Sequence, residues 1–111
     1  MSIKINRLAN ILVQEISYIL STEVKDKNIK FVTVTDVKLT NDLSFAKVYV
    51  TVLDDDKREE IMTSLNKAKG FIRSQLHDRV DMRYIPEINF IYDESIEYGT
   101  KIENIINKLN N

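Results

Sequence analysis

Residues 61–80 read IMTSLNKAKGFIRSQLHDRV, and the fold turns on the middle of that stretch, Ala68-Lys69-Gly70. Upstream, Ile61, Leu65 and Ala68 recur at helical spacing; downstream, Ile72, Leu76 and Val80 do the same. Gly70 is one of only two glycines in the chain. Inside a helix it costs roughly 1 kcal/mol relative to alanine. A kink, or close approach by a group that a side chain would block, justifies that cost. The reading is two helices joined at a kink, with Ala68 packed tightly at the joint. Gly70 is expected in a left-handed or strained conformation, so that alanine there destabilises by about 1–2 kcal/mol.

The elements around the joint follow from periodicity. Ile5, Leu8, Ile11, Leu12, Ile16, Ile19 and Leu20 mark one face of a first helix over residues 4–22. Phe31 to Leu39 is rich in Val and Thr, as strands are, and its apolar phase shifts between Val34 and Val37, which predicts a bulge or burial on both faces. Asn41-Asp42 signals a turn. Ala46, Val48, Val50 and Val52 then alternate with Phe45, Lys47, Tyr49 and Thr51, a half-buried strand that closes a hairpin. Asp56 followed by Glu59 resembles a capping box ahead of the second helix. Pro86 holds the chain extended before a third strand at Ile88, Phe90 and Tyr92. Asp93 or Ser95 can cap a last helix bearing Ile102, Ile105, Ile106 and Leu109.

The expected fold is therefore α+β, in the order α-β-β-α-kink-α-β-α, with helices packed on a three-stranded sheet. The 111 residues fit one domain, 1–111, with no repeat, low-complexity tract or linker. A chain of this size buries roughly 65% of its unfolded surface, enough for a core without staples. There is no cysteine, which removes disulfides and thiolate metal sites. No apolar run approaches the roughly 20 residues that span a bilayer, and Met1 to Arg7 has no signal-peptide core. A cytoplasmic location and no membrane contact are expected.

Enzyme readings find little to work with. His77 is the only histidine, which excludes a histidine pair for metal binding or acid–base work. Two glycines make neither a Walker loop nor a dinucleotide fingerprint. Asp54-Asp55-Asp56 reads as a helix-start signal rather than a metal site, because consecutive side chains diverge. No catalytic residue, metal or cofactor is expected. Net charge is −1, but residues 67–83 carry five Lys/Arg against two Asp, while residues 54–60 carry five carboxylates against two cations. The basic segment coincides with the helix joint, which points to a nucleic-acid surface.

The pattern α-β-β-α-α-β is that of a type II KH domain, in which a GXXG loop joins the two helices and clamps the nucleic-acid backbone. No GXXG occurs here; the joint holds Ala68-Lys69-Gly70 instead. Together with VKLTNDL (Val37 to Leu43), AKVYV (Ala46 to Val50), AKGFIR (Ala68 to Arg73), MRYIPEINF (Met82 to Phe90) and DESIEYG (Asp93 to Gly99), this resembles the bacterial ribosome-binding factor A family, KH-like proteins with an AxG kink. Arg7 and Ile16 fit that family's first helix. The resemblance implies a non-catalytic assembly factor for the small (30S) ribosomal subunit. Such a factor prefers free or immature particles, assists late 16S rRNA maturation including processing of the 5′ end, and supports growth in the cold. The implied partners are the 30S subunit, 16S rRNA and ribosomal proteins, with the protein itself a monomer. The loop Asp26-Lys27-Asn28 lacks the proline often found there, and the sequence ends at Asn111 without the polar tail of many members.

The candidate RNA contacts are Lys67, Lys69, Gly70, Arg73, Arg79 and Arg83, with Lys4 and Arg7 from the first helix as secondary ones. Arg83 has a second reading, as a partner of Asp93 or another carboxylate. The competing functional class is a protein-interaction adaptor that recruits a basic partner through Asp54 to Glu60 or through an exposed sheet edge. For the acidic triplet the expected result is plain. Calorimetric titration with Mg²⁺ or Mn²⁺ shows no tight, stoichiometric event, and a tight one-to-one isotherm would reopen the metal-site reading.

Overall fold

The computed structural model describes residues 3–95. Helix α1 spans Ile3–Thr22, strand β1 Val32–Leu39, strand β2 Phe45–Val52, helix α2 Arg58–Lys67, helix α3 Lys69–Arg79 and strand β3 Glu87–Tyr92. Two short 3₁₀ turns, Lys27–Ile29 and Asp55–Lys57, lead into β1 and α2. The last helix expected from Asp93 or Ser95 onward lies outside the described residues, apart from its first positions. Within them the architecture is the expected α+β arrangement.

The sheet order is β1-β2-β3, with β1 antiparallel to β2 and β2 parallel to β3. A parallel neighbour needs a crossover, and α2 with α3 supplies it. One sheet face carries Val34, Val37, Ala46, Val48, Val50, Ile88 and Phe90, all buried. Against it lie Leu12, Ile16, Ile19 and Leu20 of α1, Ile61 and Leu65 of α2, and Ile72 and Leu76 of α3. The opposite face presents Lys38, Phe45 and Lys47 to solvent.

The phase shift in β1 is a bulge. The pairing slips between Val34, opposite Val50, and Asp36, opposite Tyr49. The extra residue, Thr35, lets Val34 and Val37 both face the core although they are three apart. Its hydroxyl donates to an Asp93 carboxylate oxygen at 2.6 Å, and the Asp93 N–H donates to the Val50 carbonyl at 2.8 Å. The bulge thus ties β1 to the chain leaving β3, across β2.

Two local expectations need correction, and a third gains a detail. Asp56 does not cap α2. The Asp54 carboxylate accepts the Asp56 N–H and opens the 3₁₀ turn, while α2 begins with no side-chain cap. Asp54 has the extended backbone that a capping residue requires, and Asp55 is occupied by an ion pair with Arg58. Ile11, placed on the apolar face of α1, is 38% exposed. It sits one residue before Leu12, about 100° round the helix from the buried stripe. The hairpin turn falls where Asn41-Asp42 predicts, but the left-handed residue in it is Leu43, with φ 63°.

The helix break is real and falls on Ala68, which is neither α2 nor α3. Its N–H is shared between the Ser64 and Leu65 carbonyls, both at 3.1 Å, and its carbonyl accepts from the Ile72 N–H at 2.9 Å. Its side chain is half-buried and packs on the core. Gly70 lies inside α3 with negative φ, and a Cβ built on it meets nothing within 4 Å. The strained glycine expected from the sequence is therefore absent. Ala68 stays in the right-handed region but at its edge, at φ −87° and ψ −2°, and this interrupts the helix without strain.

Asp93 links stability to pH. Hydrogen bonds from the Ser95 and then the Thr35 hydroxyl hold its carboxyl below the ordinary carboxylate value. A depressed folded-state pKa contributes stability above the unfolded pKa, about 3.9, and loses it as pH falls through the folded value. Asp93→Asn should therefore melt below the wild type at pH 7, and the gap should narrow as pH falls below the unfolded value and through the lowered folded one. A gap that is unchanged at low pH would show that the anion does not matter.

Candidate nucleic-acid interface

The exposed face of α3 is a stripe at helical spacing: Gly70, Arg73, Ser74 and His77. The chain from Arg83 to Ile85, just before β3, runs alongside it, and the two enclose an open groove of about 640 Å³. Arg73 spans the groove at its base, its guanidinium donating to the Ile85 carbonyl at 2.9 Å. That bond fixes the loop against α3, and the exposed side chain keeps further N–H donors for an outside acceptor. Arg83 lies on the opposite wall, its guanidinium 5.4 Å from the centre of the Tyr84 ring. Gly70 forms an open stretch of wall where backbone is accessible because no Cβ stands over it.

The other candidate residues fall in different places. Lys69 turns toward β3, its Nζ 3.4 Å from Asn89 Oδ1. Lys67 is exposed at the last position of α2. Arg79 donates from Nε to Glu15 at 2.6 Å and lies 4.3 Å from the Tyr18 ring centre, so its charge is committed to latching α3 onto α1. Lys4 lines a neighbouring cavity whose wall shares Arg83 and Tyr84 with the groove. Arg7 is exposed on α1 and lines neither space. The pairing of Arg83 with Asp93 is not made: Asp93 is held by Thr35 and Ser95 at the far end of β3.

Reading residues one charge at a time missed Ser74, Asp78, Tyr84 and Ile85 as groove lining. Ser74 was legible, since it follows Gly70 by four residues on the same helix face. Asp78 places one negative charge in the groove, 3.8 Å from His77 Nδ1. Tyr84 left a weaker signal, an aromatic beside Arg83 in a loop. Among the described residues, no cluster of three His, Cys, Asp or Glu is arranged to hold a metal ion, and no helix is long and apolar enough to cross a membrane. The acidic run from Asp54 is partly consumed by its own turn, through the Asp54 cap and the Asp55–Arg58 pair.

A helix joint that carries AxG rather than GXXG, on a three-stranded sheet in this order, is matched by one family model. The model for ribosome-binding factor A aligns with residues 4–106. The chain belongs to the ribosome-binding factor A family. A member from Staphylococcus saprophyticus is 51% identical over 110 residues, covering 98% of this chain and 96% of its own. One from Macrococcus caseolyticus is 49% identical over 111 residues, covering 99% and 97%. The crystal structure of ribosome-binding factor A from Thermus thermophilus superposes with a TM-score of 0.70 at 26% identity, covering 78% of this chain and 92% of that one.

The geometry of Gly70 reverses the effect expected of its substitution. Gly70→Ala should stabilise the protein by about 0.4–1 kcal/mol, because helical propensity improves and nothing within the fold is struck. Urea unfolding checks this, and a loss of stability would mean that the backbone there is strained after all. Any loss of binding by such a stabilised variant would report directly on the groove.

Proposed function

We propose that this chain is a non-catalytic assembly factor, working as a single KH-like domain of residues 1–111, that binds free or immature 30S subunits. It assists late maturation of 16S rRNA, including processing of the 5′ end, and through it growth in the cold. It acts as a monomer in the cytoplasm, where it meets ribosomal proteins as well as rRNA. The observation that carries this reading is the groove between α3 and the loop before β3. Arginines on both walls, Arg73 and Arg83, flank a stretch of helix that Gly70 leaves bare. Membership of the ribosome-binding factor A family gives the particle on which such a groove would act.

Phosphate contacts from Arg73 and Arg83 position the protein and carry little sequence choice. Selectivity for an immature particle then comes from shape, since the groove must be reached by rRNA that later folding draws away. Lys67 and Lys69, at the joint, extend the positive surface beyond the groove. Arg79, held by Glu15, contributes less to the outward field than its formal charge suggests.

The reading is tested on particles. In a sucrose gradient of cell extract the protein should co-migrate with free small subunits and be missing from translating ribosomes. With purified particles, Arg83→Gln should weaken binding and lower the slope of log affinity against log salt by about 0.7–0.9, one phosphate contact's share. Arg73→Gln should do the same and also loosen the loop before β3. Slopes that stay at the wild-type value in both variants would place the RNA surface elsewhere.

A further inference from the structure

On the other side of the Arg83–Tyr84 wall lies a second cavity, of about 260 Å³. Leu8 of α1, Leu43 of the hairpin turn, Met82 and Tyr84 give it apolar walls, and Arg83 borders it as it borders the groove. Its volume falls just below the range of about 300–1,000 Å³ typical of drug-sized ligand pockets. That leaves room for one ring system rather than for a whole nucleotide. Asp42 and Asp81 also line it, balanced by Lys4 and Arg83, so its charge does not draw in a phosphate. The apolar walls suit a base, while the groove, with both Arg73 and Arg83, is the better place for phosphate.

The hairpin turn is bent to make this wall. Leu43 has φ 63°, and among the described residues no other non-glycine has positive φ. A branched side chain in that region is strained. The turn is held from both sides, by the Leu43 N–H donating to the Thr40 carbonyl at 2.9 Å and by Asp42 accepting from the Ser44 N–H at 3.0 Å. The result is a half-buried leucine facing an open cavity instead of solvent. Opposite it, Tyr84 is 72% exposed although it is flanked by buried Ile85. An exposed aromatic next to an arginine is the usual platform for an unstacked base.

We propose that this cavity receives one unstacked rRNA base, stacked on Tyr84 and walled by Leu8, Leu43 and Met82, while the adjoining phosphates follow Arg83 and Arg73 through the groove. The inference rests on the RNA-binding reading above and adds to it a base contact that the groove lacks. It also explains why the two spaces share a wall: one nucleotide's base and backbone would lie on either side of Arg83-Tyr84.

The test uses the full chain and purified immature small subunits. Tyr84 is exposed, so Tyr84→Ala should fold normally. It should bind particles about five- to a hundredfold more weakly, with the wild-type salt slope, and Tyr84→Phe should bind as the wild type does. Leu43→Gly relieves the positive φ, so its melting temperature should hold while its affinity falls. Ultraviolet cross-linking of the wild-type complex should leave a nucleotide adduct on the peptide containing Tyr84. Wild-type affinity in Tyr84→Ala overturns the inference and leaves the RNA-binding reading standing. Lost affinity with cross-links to a ribosomal protein and none to RNA overturns it too, by making the cavity a protein contact. Failure of the wild type to bind particles at all would sink the parent reading with it.

Discussion

Everything in this molecule depends on how Ala68 divides its two backbone groups. Its N–H serves the helix behind it, shared between Ser64 and Leu65, and its carbonyl serves the helix ahead, through Ile72. A single residue thus ends one helix and begins another without leaving a buried polar group unpaired. Ile61 and Leu65 of the first segment and Ile72 and Leu76 of the second, spaced at helical intervals on either side of Ala68, all join the same core. The residue must be small, because its half-buried side chain already touches the core. The glycine two positions on has a different task, since it opens the outer surface and leaves the turn to alanine.

Much of the fold was legible in the sequence because the core is built from clean periodicities. The alternation from Phe45 to Val52 gave β2, and the phase shift from Val34 to Val37 allowed a bulge or burial on both faces, between which the pairing register decides for the bulge. The misreadings came where several residues competed for one role. Asp56 reads as the cap in sequence, but the extended backbone at Asp54 gives the capping role, at the start of the 3₁₀ turn, to the first of the three aspartates. Leu43 could not be found at all, because leucine carries no left-handed propensity and tertiary context alone holds it there.

The site was legible in part. The basic segment was visible as charge, but charge alone does not say which cations are spent inside the fold. Arg79 reads like Arg73 in sequence, yet Glu15 and Tyr18, far back on the first helix, claim it. The helical stripe through Gly70, Arg73, Ser74 and His77 was the better signal, since it names a face rather than a composition. The far wall of the groove, at Arg83 and Tyr84, needed the loop to fold back over α3. That contact belongs to Arg73 and the Ile85 carbonyl, which no local pattern announces.

The parallel pairing of β2 with β3 also has a bearing on how the chain is born. The β1–β2 hairpin joins neighbours in sequence, whereas Phe45 meets Glu87 only after both crossover helices have been made. Pairings between distant residues form late, because the intervening loop must first be closed. While synthesis proceeds through α2 and α3, the β2 edge is complete and unpartnered, a template for any extended strand nearby. A ribosome that pauses before Glu87 would therefore hold out the most association-prone form this protein ever takes.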